Sequence, residues 1–197
     1  MVGSLRWAIA QASNTLPTYI KVAPDFIDLA GVGRNMYVAE SVVTNVFGSI
    51  VKDITIDFSY INVLFGTGGN FKGANKITSP TFKLQNMVME NQDFGTSGYI
   101  FKSMIDFTNC RFENLVLNST SAFFDYVITT ITNCIFRNVV NNGGGGTLIF
   151  NTAIVTDCIF DETVNIFGTA NFSKCYISVS NSFTPVTSTP TSFYSYW

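Results

Sequence analysis

The amino-acid sequence predicts an all-β chain wound as a right-handed parallel β-helix, with coils of about 23–24 residues and a short N-terminal capping helix. Three observations lead there. A short phrase recurs at a nearly fixed interval, its apolar residues change phase partway through each copy, and a further apolar run follows in each repeat after a polar link. Cys110, Cys134 and Cys158 are spaced 24 residues apart, and Cys175 follows after 17. Around them stand Thr108-Asn109-Cys110-Arg111-Phe112-Glu113-Asn114, Thr132-Asn133-Cys134-Ile135-Phe136-Arg137-Asn138 and Thr156-Asp157-Cys158-Ile159-Phe160-Asp161-Glu162. Ser173-Lys174-Cys175-Tyr176-Ile177 is a shorter echo, and Gln85-Asn86-Met87-Val88-Met89-Glu90-Asn91 carries Met in the cysteine slot. A period of this length marks stacked repeats and outranks local secondary-structure signals.

With the cysteine slot counted as zero, apolar residues fall at zero and plus two: Met87/Met89, Cys110/Phe112, Cys134/Phe136, Cys158/Phe160 and Cys175/Ile177. Strand alternation puts each pair on one face. Apolar residues also fall at minus three, at Leu84, Phe107, Ile131, Val155 and Phe172. That parity is wrong for one continuous strand, so the chain must turn a corner at minus two and minus one. Those slots hold Gln-Asn, Thr-Asn, Thr-Asn, Thr-Asp and Ser-Lys. Asn and Asp tolerate the left-handed backbone of a tight corner, and Lys174 departs from that series. A second corner is expected at plus four, where Asn91, Asn114 and Asn138 should stack as an amide ladder that ends before Glu162.

Along the chain, Ser4 caps a helix over Leu5–Ala12, with Leu5, Ala8, Ile9 and Ala12 on one face. Tyr19–Val22 and Phe26–Leu29 read as the first strands, and Met36–Ile50 as a coil of its own. Ile54–Ile61 reads as a two-strand phrase of ambiguous register. Gly66–Pro80 is a Gly-rich excursion with Lys72 and Lys76. Further apolar runs at Tyr99–Phe101, Ala122–Phe124, Leu148–Phe150 and Ile166–Phe167 supply about a third strand per repeat. Asn142 to Gly146 links two of them, and no helix survives there. Right-handed coiling follows from the preference of parallel crossovers. The short last interval predicts a tapered final coil. The domain plan is one β-helix over 1–183, with a cap over 1–16 and coils over 17–183. An extended Ser/Thr/Pro/aromatic tail follows over 184–197, ending Phe193-Tyr194-Ser195-Tyr196-Trp197.

Composition narrows the function. Charged residues are 12% of 197, about half the usual share. Eleven Lys+Arg against 13 Asp+Glu give a net charge of −2, which argues against nucleic-acid capture. With no histidine, the commonest general base, the usual triads and most zinc or haem sites are lost. No apolar run reaches the ~20 residues of a transmembrane helix. Met1–Ile9 lacks the apolar stretch of a secretory signal. Export would therefore follow signal removal, a longer parent chain or virion assembly. Sequons at Asn118 and Asn171 arise easily by chance in an Asn-rich chain. No cofactor, metal site or catalytic residue is expected.

The residues able to carry chemistry each have a plainer role. The cysteines read as ligands, disulfides or an inward stack, and Met87 in the same slot favours the stack. Glu113, Arg137 and Asp161 at plus three read either as an acid/base pair around an arginine or as an alternating-charge ladder. The ladder is favoured. Gly143–Gly146 lacks the Lys-Ser/Thr ending of a phosphate loop. The Gly66–Pro80 loop is the better binding candidate, although a plain connector explains it. The aromatic tail docks on its own coils or on a neighbouring subunit.

Gly3-Ser4-Leu5-Arg6-Trp7-Ala8-Ile9 resembles the Cys-Ser-Leu-Arg-Glu-Ala segment that opens many secreted β-helix proteins, with Gly3 for its Cys and Trp7 for its Glu. The Asn-Cys-x-Phe-x-Asn phrases resemble the repeats of adhesin-like and polymorphic outer-membrane β-helix proteins. Viral spikes and fibres are similar, as are polysaccharide-degrading enzymes. The resemblance implies a non-enzymatic structural or attachment protein, extracellular or on a virion surface, that self-associates or docks on a larger assembly and contacts a surface glycan or receptor. A polysaccharide lyase or glycoside hydrolase on the same fold is the alternative.

Overall fold

The structure, a computed structural model, describes residues 5–13, 15–23, 35–38, 53–65, 71–72, 82–95, 101–102, 105–118, 124–125, 129–143, 153–162 and 171–177. Of the sequence expectations, the Ser4 cap, Phe26–Leu29, most of Met36–Ile50, the runs at 148–150 and 166–167, and the tail lie outside these residues.

The helix α1 covers Leu5–Gln11. Ile9 and Ala12 are buried in the main core with Leu5 packed against it, as the amphipathic pattern predicts. Among the described residues, everything else with regular structure is strand. Apart from two-residue pieces, these are β1 (Thr18–Lys21), β2 (Asn35–Val38), β3 (Ile54–Asp57), β4 (Asn62–Phe65), β6 (Phe82–Gln85), β7 (Val88–Asp93), β9 (Asp106–Thr108), β10 (Arg111–Leu117), β12 (Thr129–Thr132), β13 (Ile135–Asn141), β14 (Ala153–Thr156), β15 (Ile159–Asp161) and β16 (Asn171–Ser173). The two-residue strands are β5 (Phe71–Lys72), β8 (Phe101–Lys102), β11 (Phe124–Asp125) and β17 (Tyr176–Ile177).

The strands form three sheets, ordered β1-β3-β6-β9-β12-β14-β16, β17-β15-β13-β10-β7-β4-β2 and β11-β8-β5. Every pairing between them is parallel. The described residues are thus mostly strand in parallel sheets, and successive repeats contribute neighbouring strands. The third sheet corrects the picture of Gly66–Pro80 as a bare excursion, because Phe71 and Lys72 pair with Phe101 and Lys102.

Pairing registers reproduce the repeat. In the first sheet Ile20, Ile56, Leu84, Phe107, Ile131, Val155 and Phe172 are successive partners, the minus-three column. In the second, Met89, Phe112, Phe136, Phe160 and Ile177 are partners, the plus-two column. Phe112 and Phe136 stack with ring centroids 4.8 Å apart, and so do Phe136 and Phe160. That distance matches the spacing of paired strands, about 4.7–4.9 Å. An in-register phenylalanine column therefore packs face to face without distorting the sheet.

The corners turn where the parity argument requires. Asn86, Asn109, Asn133, Asp157 and Lys174 at minus one all have φ between 52° and 55°. Lys174 bends like its neighbours despite its side chain. At plus four, Asn91, Asn114, Asn138 and Glu162 have φ of 47–56°. The register of the Ile54–Ile61 phrase is also settled. Val88 N–H donates to Ile61 O as Arg111 N–H donates to Met87 O, so Ile61 occupies the cysteine slot. Its corner holds two more residues than the others, and Ser59 and Tyr60 both carry positive φ.

Candidate functional site

The cysteines form a buried column. Cys110, Cys134, Cys158 and Cys175 are free thiols, each buried, in the slot shared with Met87 and Ile61. Each thiol has backbone work to do. Cys110 N–H donates to Cys134 Sγ and Cys134 N–H to Cys158 Sγ, both at 3.4 Å. The thiols in turn donate to carbonyls two residues back, Cys134 to Thr132 O at 3.3 Å. A corner amide that leaves the strand ladder thus finds its acceptor in the next repeat. Burial, reinforced by Cys110 and Cys158, pushes the Cys134 thiol well above its usual range, which keeps it a poor nucleophile. Among the described residues no three His, Cys, Asp or Glu side chains group as a metal site requires.

The plus-three residues meet on the outer face of the second sheet, with two partners that sequence reasoning left out. Arg137 lies 3.3 Å from Glu113 and 3.5 Å from Asp161. Arg111 lies 3.3 Å from Glu90 and 3.8 Å from Glu113. The ion pairs run Glu90–Arg111–Glu113–Arg137–Asp161, with Arg111 on the same strand as Glu113 and bridging it to its register partner Glu90. Glu90 was legible at plus three, and Arg111, at plus one, lies on the same face by strand alternation. Glu113 and Asp161 stand two strands apart, on β10 and β15 with β13 between them, or roughly 9.6 Å at strand spacing. Paired hydrolytic carboxylates stand about 5–9.5 Å apart around an open space. Here an arginine fills that space.

A third constellation surrounds Asp57, which retains only 5% of its exposure. Its Oδ1 accepts from Ser59 N–H at 2.8 Å and Asn86 Nδ2 at 2.9 Å. Its Oδ2 accepts from the Tyr19 hydroxyl and, at 3.4 Å, from Gln85 Nε2. Burial pushes its carboxyl upward, but the bonds from Tyr19, Asn86, Ser59 and Gln85 outweigh it and hold the group below the usual range. The same contact raises the Tyr19 hydroxyl. The group joins β1, β3, β6 and two corners.

From Asp57 an amide chain runs up the minus-one corner. Asn109 Nδ2 donates to Asn86 Oδ1 at 3.4 Å and Asn133 Nδ2 to Asn109 Oδ1 at 2.7 Å. The expected plus-four ladder is present, with Asn114 donating to Asn91 and Asn138 to Asn114, both at 3.0 Å. It stops at Glu162, whose side chain has no amide to donate, although the corner continues. The minus-one ladder was missed, though the same Asn column signalled it.

Comparison of the chain with protein-family models, curated proteins and solved structures finds no match. No helix among the described residues is long and apolar enough to cross a membrane.

Proposed function

We propose that the chain is a structural or attachment protein without enzymatic activity, coiled as a right-handed parallel β-helix and acting outside the cell or on a virion surface. One observation carries this reading. Polar groups of the corners and of one outer face bond to their own counterparts in the next repeat, as Arg137 does to Glu113 and Asn138 to Asn114. Side chains used this way hold a stack together and are not left facing a substrate. Parallel pairing in register supplies the stiffness, and the right hand follows from the crossover preference.

In this reading, the adhesin-like and viral β-helix resemblance describes the chain's working context. Loops or the tail over 184–197 make the contacts, with a second subunit, a larger assembly, a surface glycan or a receptor. The decisive experiment combines native electron microscopy of the purified protein with incubation against a panel of polysaccharides. Stiff rods or assemblies with no cleavage support the scaffold. Depolymerisation that is lost in Glu113→Gln or Asp161→Asn rejects it in favour of a lyase or hydrolase.

A further inference from the structure

The asparagines of the two ladders and Asn142 differ in two ways. Those of the ladders are held by neighbouring amides, and each precedes a bulky residue or a cysteine: Asn86 before Met87, Asn109 before Cys110, Asn114 before Leu115, Asn138 before Val139. Asn142 differs on both counts. It is exposed at the end of β13 and is followed by Gly143. Its own N–H is anchored to Leu117 O at 2.7 Å, while among the described residues no hydrogen bond holds its side-chain amide.

We propose that Asn142 is a site of spontaneous deamidation and isoaspartate formation, paced by Asn141. The Gly143 backbone nitrogen, after losing its proton to base, attacks Asn142 Cγ. A bond forms between them, the Cγ–Nδ2 bond breaks and ammonia leaves, giving a five-membered succinimide. Water opens the ring at either carbonyl, to aspartate or isoaspartate, so the net change is water in and ammonia out. Glycine favours the attack because no Cβ crowds the nitrogen, and the exposure of Asn142 admits the water.

Asn141 restrains the same nitrogen. Its side chain is buried, with 6% exposure, and its Oδ1 accepts the Gly143 N–H at 3.1 Å. A proton engaged in that bond is harder to remove, and the nitrogen is held toward Asn141. The folded chain therefore slows a reaction that its Asn-Gly sequence favours. The product adds one negative charge at the end of β13, and in the isoaspartyl form one extra backbone carbon.

The test is incubation of the full chain at mildly alkaline pH, followed by peptide mass spectrometry and enzymatic methylation of isoaspartate. Label and mass gain should concentrate in the peptide holding Asn142, and both should be lost in Asn142→Gln and Gly143→Ala. Asn141→Ala should speed the reaction, while Asn141→Asp, which keeps an acceptor, should stay slow. If Asn141→Ala fails to fold, denaturing the wild-type chain replaces it, and the rate should rise there. Absence of label at Asn142, or label spread evenly over the asparagines, overturns the site. Equal rates in the restrained and released forms overturn the role of Asn141.

Discussion

Asn86 donates from Nδ2 to Oδ1 of Asp57 at 2.9 Å, and that bond sets the direction of the amides above it. An ionised carboxylate only accepts, so Asn86 must present its NH2 to Asp57 and its oxygen to the next repeat. Asn109 and Asn133 then follow in the same sense. The plus-four ladder runs the same way, with each donor facing the preceding repeat.

Asp57 makes stability acid-sensitive. Its folded pKa lies below the unfolded one, so its contribution is complete above the usual carboxylate range and is lost as pH falls through the folded value. Asp57→Asn should lose roughly 1–3 kcal/mol at neutral pH, because buried donors are left poorly paired. The gap to wild type should narrow in acid. Urea unfolding at pH 7 and pH 3 measures it, and a gap that widens on acidification contradicts the assignment.

At Asn114 the backbone and the ladder can be separated. Asn114→Ala should cost about 1–2 kcal/mol for a left-handed residue with a Cβ, plus the loss of two amide bonds. Asn114→Gly removes the bonds but not the conformation, so it should be the milder change. Thermal unfolding of both variants checks the order.

The core should respond by column. Phe136→Ala removes the middle ring of two stacked contacts and should cost about 3–5 kcal/mol. Cys134→Ala leaves the buried Cys110 N–H without its acceptor and should cost about 1–3 kcal/mol. Cys134→Ser offers an oxygen to that N–H and a proton to Thr132 O, so the serine variant should be the more stable of the two. Denaturant midpoints decide.

Charge reversal at Arg137 tests the outer face. Arg137→Glu would set a third carboxylate between Glu113 and Asp161, and like charges on adjacent strands destabilise. Arg137→Gln should shift stability by no more than about 1 kcal/mol, the range of exposed ion pairs. The penalty of the Glu variant should shrink as salt rises. Melting curves at low and high ionic strength show whether it does.

Much of this architecture was legible because each repeat carries the same instruction in the same place. The phase change between minus three and zero required a corner, and positive φ at Asn109 and Asn133 meets that requirement. The Asn91, Asn114, Asn138 ladder was legible because identical amides in register have one obvious partner. Asp57 was not, since its corner is two residues longer than the others and its partners Tyr19 and Gln85 lie 38 and 28 residues away. The cysteines were legible as buried, but not as acceptors for corner amides, because that bond depends on geometry between repeats. The charge ladder was seen in part: Arg111 sits two residues before Glu113, and only strand alternation reveals that they share a face.

The equal 24-residue spacing of Cys110, Cys134 and Cys158 has a consequence for how such a chain changes length. Removing residues 111–134 joins Cys110 to Ile135, a junction the protein already contains as Cys134-Ile135. Corners, thiols and stacked rings on either side would stay in phase, and the product would be a shorter version of the same object. Loss of one residue inside β10 would instead turn Phe112 or Leu115 toward solvent. The stack can therefore change length in phase by a whole 24-residue unit, whereas a single-residue change inside a strand reverses which side chains face the core.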